Sequence, residues 1–308
     1  MLKTPQPREA SAIVRLLSDA ELVARVRQGV LSEPGVIDEY YRRCIPIYQE
    51  FLGRHWHTGW YEEGSDPPKP SDQERMIAMV AQSVGIEPGM RVLDVGCGIG
   101  ATAHWLAQHR QADVVGLTPV AEQKRIADRF LSNAGLSRTP AIVLGHGGQL
   151  PFPDASFDAV VFFESTCHIE NREAFIREAR RVLRPGGRLA GEDWLRVDAP
   201  GESTHAALVE QVERLWAIPG LGRPSDYLSL MKAAGFEHCE FHDLREESAL
   251  AKGFATTASQ QRSLEADIAA CRDPLLGLIL EGLLALGRAL AAGCFTVGRF
   301  ACVRPARV

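Results

Sequence analysis

The 308-residue chain carries 34 basic against 39 acidic side chains, a formal charge of −5, and scattered arginines, which argues against a nucleic-acid-binding surface. Its ordinary apolar content and length suit a globular protein with a large core. Seven cysteines without a Cys-x-x-Cys pair argue against a disulfide framework or a zinc site and for a reducing, cytoplasmic setting.

The first ten positions carry polar residues throughout rather than a basic segment followed by an apolar run, so no signal peptide is expected. Residues 11–31 show two short amphipathic patterns, Ile13, Leu16 and Leu17, then Leu22, Val23 and Val26, which predict docking helices interrupted by Pro34-Gly35. Val36 to Leu52 resumes as a helix rich in aromatics, with Tyr40, Tyr41, Tyr48 and Phe51. The irregular stretch His55-Trp56-His57-Thr58-Gly59-Trp60-Tyr61 follows. So many rings outside regular structure need a partner, as a plug on the core or the lid of an apolar site.

Ser71 with Glu74 has capping-box spacing and predicts a helix to about Val84. From there strands and helices alternate. Strands are expected at Val92–Val95, Val114–Thr118, Ala141–Leu144, Phe157–Phe163, Arg188–Glu192, Phe236–Leu244 and Cys294–Val303. Helices are expected at Thr102–His109, Glu122–Asn133, Arg172–Leu183, Ala206–Trp216, Pro224–Gly235 and, as one or two, Leu264–Ala292. The alternation predicts an α/β fold, a doubly wound, seven-stranded, mostly parallel sheet. An N-terminal helical and aromatic cap is expected over 1–70 and the sheet domain over 71–308, with an insertion at about 197–225 after strand five. No membrane span is expected: the nearest candidate, Leu275 to Ala292, is broken by Glu281 and Arg288.

The first strand, Val92 to Val95, runs into Gly96-Cys97-Gly98-Ile99-Gly100, and a helix follows whose free N–H groups face the turn. A dinucleotide fingerprint would place its third glycine inside the helix. Here Asp94 precedes the first glycine, where it would repel a pyrophosphate but suits a ligand bearing an ammonium group.

These residues resemble the first motif of the class I S-adenosylmethionine (SAM)-dependent methyltransferases. Leu150-Pro-Phe-Pro-Asp-Ala-Ser-Phe-Asp-Ala159 and Arg181-Val-Leu-Arg-Pro-Gly-Gly187 are similar to that family's approaches to its fourth and fifth strands. His57-Thr58-Gly59-Trp60 resembles a segment of the branch containing sterol, tocopherol and terpenoid methyltransferases. The resemblance implies SAM as cofactor and S-adenosylhomocysteine (SAH) as product, with Asp94, Gly96, Gly98, Thr118, Gln123, His146 and Gly147 as cofactor-binding positions. Thr118 stands where most of the fold family has a ribose-binding acid. His146 stands where an aspartate usually accepts from adenine; its imidazole either accepts that bond or faces water.

Methyl transfer needs a positioned nucleophile, excluded water and a proton acceptor. Glu164, directly after an apolar strand, reads as general base or as a carboxylate ordering its loop, and His168 as base, hydrogen-bonding partner or loop anchor. The stretches Glu164 to His168 and Glu192-Asp193-Trp194 resemble the corresponding loops of sterol and terpenoid C-methyltransferases, which implies an alkene acceptor and a carbocation. Tyr40, Tyr41, Trp56, His57, Trp60, Phe163 and Trp194 are the substrate-binding candidates, because aromatic faces stabilise a cation. A diphosphate on the acceptor would call on Arg42, Arg43, Arg54 or Arg223, and only then on magnesium; no other metal is expected. The alternative is O- or N-methylation of a phenolic, sugar or amine metabolite. The expected partner is a small apolar or prenyl molecule, with no nucleic acid and a homo-oligomer left open.

Overall fold

The computed structural model describes residues 17–29, 36–64, 70–197 and 203–306. The pattern at Ile13 and Leu16 and the Pro34-Gly35 break lie outside them. Ser18 caps α1 (Asp19–Arg27) with a capping box to Glu21, and Leu22, Val23 and Val26 are buried as the helical spacing requires. Helix α2 (Val36–Phe51) buries Tyr40, Cys44 and Tyr48. Helix α3 (Pro70–Ser83) already includes Ser71, so the capping-box reading of that serine does not hold: the helix opens on Pro70, whose fixed φ suits a first turn.

The chain then lays down β1 (Arg91–Val95), α4 (Ala101–Arg110), β2 (Asp113–Thr118), α5 (Ala121–Ser132), β3 (Ala141–Leu144), β4 (Phe157–Phe163), α6 (Arg172–Val182) and β5 (Leu183–Arg196). After these come α7 (Ser203–Leu215), α8 (Pro224–Ala233), β6 (Glu237–Asp243), the single turn α9 (Leu244–Glu247), α10 (Ala258–Ala270), α11 (Pro274–Ala291) and β7 (Phe295–Val303). All seven strands form one sheet in the order β3-β2-β1-β4-β5-β7-β6. Strands β1 to β5 pair in parallel, and β7 inserts antiparallel between β5 and β6. Strand five is longer than expected: residues 184–187 form an irregularity within β5, where Phe157 pairs with Leu183 and Ala159 with Arg188.

Two large apolar cores lie on the two faces of the sheet, and a small third cluster, Cys97, Ala127, Leu131 and Ile142, packs α5 against β3. The one that includes Val92, Val161 and Trp194 also takes in α1, α2 and α11. Helix α11 is long and apolar enough to cross a membrane by length and composition, contrary to the expectation from its two charges. More than half of it is buried, however, with Leu278, Ile279, Leu286 and Ala289 packed into that core, so packing accounts for its apolarity.

The strand order reverses direction between β1 and β4, and the carboxyl ends of both strands open there into a single crevice.

Candidate active site

Each wall of the crevice contributes one carboxylate. Asp94 lies on β1, in register with Val161 of β4, and Glu164 is the first residue after β4. Gly96, Gly98 and Gly100 all hold positive φ, and a Cβ on Gly96 would stand 2.2 Å from that of Ser165, so only glycine lets the two strand ends meet. Ser165 completes the junction by donating its hydroxyl to the Val95 carbonyl at 2.6 Å.

Glu164 has φ +43, a conformation side chains larger than glycine rarely adopt. Its side chain is held by Thr58, whose N–H donates to Oε1 at 2.8 Å and whose hydroxyl donates to the same oxygen. Thr58 reaches it because the backbone at Gly59 runs against α3: a Cβ there would stand 2.8 Å from that of Asp72. Burial pushes the Glu164 carboxyl above the usual carboxylate range, while the two Thr58 bonds oppose the shift.

A cavity of about 820 Å³ spans the crevice. One half is a groove along Asp94, Gly96, Gly98, Gln123, His146 and Gly147; the other is a chamber formed by Tyr41, Tyr48, Phe163, Trp194, Trp216, Phe254, Leu283 and Leu286, and Glu164 lines the same cavity. Trp216 stands edge-on to Trp194 at 5.0 Å and stacks on Tyr48 at 6.4 Å. Trp56 and His57 also line the cavity; the Trp56 ring lies against Gly98 and the His57 ring against Phe163 at 5.1 Å.

Three expected site residues do not reach this cavity. Tyr40 points into the core, where its hydroxyl meets that of Tyr48 at 3.0 Å. Trp60 stays off the cavity, packed on the core under the Arg299 guanidinium at 5.3 Å. Thr118 is fully buried; its hydroxyl donates to Gln123 Oε1 at 2.6 Å and accepts from the Val120 N–H, so it holds Gln123 rather than facing the groove.

His168 lines the cavity but is occupied. Its Nε2 lies 2.9 Å from the Tyr41 hydroxyl, and burial lowers its pKa to about 4, so it is neutral at neutral pH.

Of the arginines considered for a diphosphate, Arg42 and Arg43 are bound to Glu39, the latter also to Asp19, and Arg223 lies outside the cavity. Arg54 lines it, with its guanidinium 4.8 Å from the Phe130 ring of α5. Among the described residues the lining therefore carries one permanent cation against the carboxylates of Asp38, Asp94, Glu164 and Glu170.

Sequence reading missed Tyr48, Trp216, Phe254, Leu283 and Leu286 as chamber residues, because their separate elements meet only in the fold. It also missed Thr58 as the clamp on Glu164.

A family model described as a methyltransferase domain matches residues 93–191, the strand and turn segment just described. Methyltransferase GfsG of Streptomyces halstedii is 32% identical over 213 residues, covering 69% of this chain and 76% of that protein. The chain belongs to the class I SAM-dependent methyltransferases. The 24-methylenesterol C-methyltransferase 2 of Arabidopsis thaliana is 32% identical over 215 residues, 68% of this chain but 58% of that protein. This methyltransferase thus spans little more than half the length of that relative, and its sequence similarity is of the sterol C-methyltransferase type. The mycolic acid cyclopropane synthase CmaA1, solved with SAH, shares the fold at a TM-score of 0.69, with 22% identity over 91% of this chain and 98% of that one.

The methyltransferase's groove fits its cofactor. Asp94 is 1% exposed, and its Oδ2 has no hydrogen-bond partner in the protein. Burial lifts its pKa to about 7, and a buried carboxylate without a partner is the group that a ligand's ammonium would satisfy.

Proposed function

We propose that this methyltransferase transfers a methyl group to an alkene carbon of a neutral, apolar acceptor, with Glu164 as the base. The observation that carries this reading is Glu164 itself, a buried carboxylate held by Thr58 on a cavity whose other half is aromatic.

In this reading Asp94 receives the cofactor's ammonium group, and Arg54 with the first turn of α4 receives its carboxylate. Gln123, oriented by Thr118, binds the ribose, and the His146-Gly147 loop binds the adenine. Bound SAM supplies an electrophilic methyl group. The chamber excludes water and holds the double bond, and the faces of Tyr41, Phe163, Trp194 and Trp216 stabilise the positive charge left on the acceptor. Glu164 then takes a proton from the neighbouring carbon, and the released C–H electron pair closes the new double bond. His168, neutral and bonded to Tyr41, positions that phenol rather than accepting the proton.

The acceptor is neutral because, among the described residues, a diphosphate would meet four carboxylates and a single arginine on the lining, and that arginine lies on the cofactor side. Magnesium, tied to a diphosphate, has no task in this reading. Tyr41 and Tyr48 of the cap and Trp216 of the insertion set the acceptor's shape.

The test is incubation with labelled SAM and a panel of sterols, polyprenols, terpene alkenes, prenyl diphosphates, phenols and amines. A product one methyl heavier is expected from neutral alkenes. Products from phenols or amines alone would overturn the reading.

A further inference from the structure

Glu192, near the end of β5, takes no part in the chemistry above. It is completely buried, neither carboxylate oxygen has a hydrogen-bond partner in the protein, and it does not line the cavity. Yet it adjoins the base: Phe163 and Glu192 are in register, and the Glu164 N–H donates to the Glu192 carbonyl at 3.0 Å.

The titratable groups facing Glu192 are His57, whose Nδ1 lies 3.7 Å from Oε1, the Tyr61 phenol, Glu164, and Asp193 on its own strand. His57 is neutral, its pKa lowered by burial to about 3. Arg299 stands directly across on β7, but its guanidinium bonds Glu247 at 2.9 Å and Ser83 at 3.4 Å. Tyr41 and the Cys167 thiol face Glu164 and add no cation.

Two buried carboxylates on residues joined by a backbone hydrogen bond, in a dry interior, do not both ionise unless a cation joins them. Thr58 favours the ionised form of Glu164, whereas Glu192 has no donor, so the retained proton resides on Glu192. SAM and SAH differ by one positive charge at sulfur.

We propose that Glu164 and Glu192 act together as a sulfonium sensor: Glu192 keeps its proton with SAH or no cofactor and releases it to solvent when SAM binds. The consequence is selection of the fresh donor over the spent product, strengthening with pH by up to about tenfold per pH unit while the proton is held. The inference rests on the cofactor and not on the acceptor class, so its failure would leave the C-methylation reading untouched.

Calorimetry in buffers of different ionisation enthalpy measures the protons released on binding each ligand. Proton release from Asp94 cancels in the comparison, because both ligands carry the ammonium group. The difference between SAM and SAH should approach one proton near neutral pH in the native enzyme and fall toward zero in Glu192→Gln. Equal release for both ligands in the native enzyme, or an unchanged difference in the variant, would overturn the proposal. Should the variant not fold, infrared spectroscopy of the native enzyme reads the same event. A carboxylic-acid carbonyl band present with SAH should vanish with SAM, and its persistence would refute the sensor.

Discussion

Thr58 donates twice to a single oxygen of Glu164, although 106 positions separate them in the chain. The contact ties the aromatic segment to the end of β4 and opposes the upward shift that burial imposes on the Glu164 carboxyl, the base of the proposed reaction. Both donors favour the charged form, so removing one raises the pKa of Glu164. Thr58→Val should therefore move the acid limb of the pH–rate profile to higher pH, and a limb that stays in place would show that the clamp does not tune the base.

Glu164→Gln keeps the size of the side chain and removes its basicity. Turnover should fall by about 100-fold or more, while SAM affinity measured by calorimetry changes only a few-fold. Comparable turnover would remove Glu164 from the chemistry.

Asp94 has a folded-state pKa of about 7, above its ordinary value, so the folded apo-protein holds a proton that the unfolded chain releases. Its contribution to apo stability is full below about pH 4 and is lost as pH rises to 7, by up to about 4 kcal/mol across that interval. The melting temperature of the cofactor-free enzyme should thus drop between pH 5 and pH 8, and Asp94→Asn should flatten that drop. The same substitution should cost SAM affinity at least about 100-fold, because the buried partner of the ammonium is gone. Tight SAM binding by the variant would sink the assignment of the groove.

In the proposed cofactor site Thr118 acts through Gln123, to which its hydroxyl donates, and not on the ligand. Thr118→Val should weaken SAM binding several-fold and destabilise the fold by about 1 kcal/mol through the lost hydrogen bonds. In a Gln123→Ala background it should cost no further affinity, a non-additivity that a double-mutant cycle measures directly.

Gly282 of α11 backs onto Trp216, and a Cβ there would stand 2.7 Å from the indole nitrogen. The rigid ring must then shift toward the chamber. Gly282→Ala should raise KM for the acceptor and spare SAM affinity; unchanged acceptor kinetics would show that Trp216 does not bound the acceptor site.

The sheet and the glycine-rich turn after β1 were legible in the sequence because their causes are local. Val92 to Gly100 is a buried strand, a carboxylate and a turn needing positive φ, and none of these depends on distant partners. The alternation of apolar strands with helices likewise set the parallel order, and an acid directly after an apolar strand pointed to Glu164. Tertiary structure alone decided which rings face the chamber. Tyr40 and Tyr41 are adjacent on α2, yet one is committed to the core and the other to His168, because a helix turns successive side chains about 100° apart and packing selects the face. It also decided that Thr58 clamps Glu164, that Trp216 closes the chamber against Trp194 and Tyr48, and that Glu192 is buried without a donor. Each of these depends on residues far apart in the chain, and no local propensity encodes such a meeting.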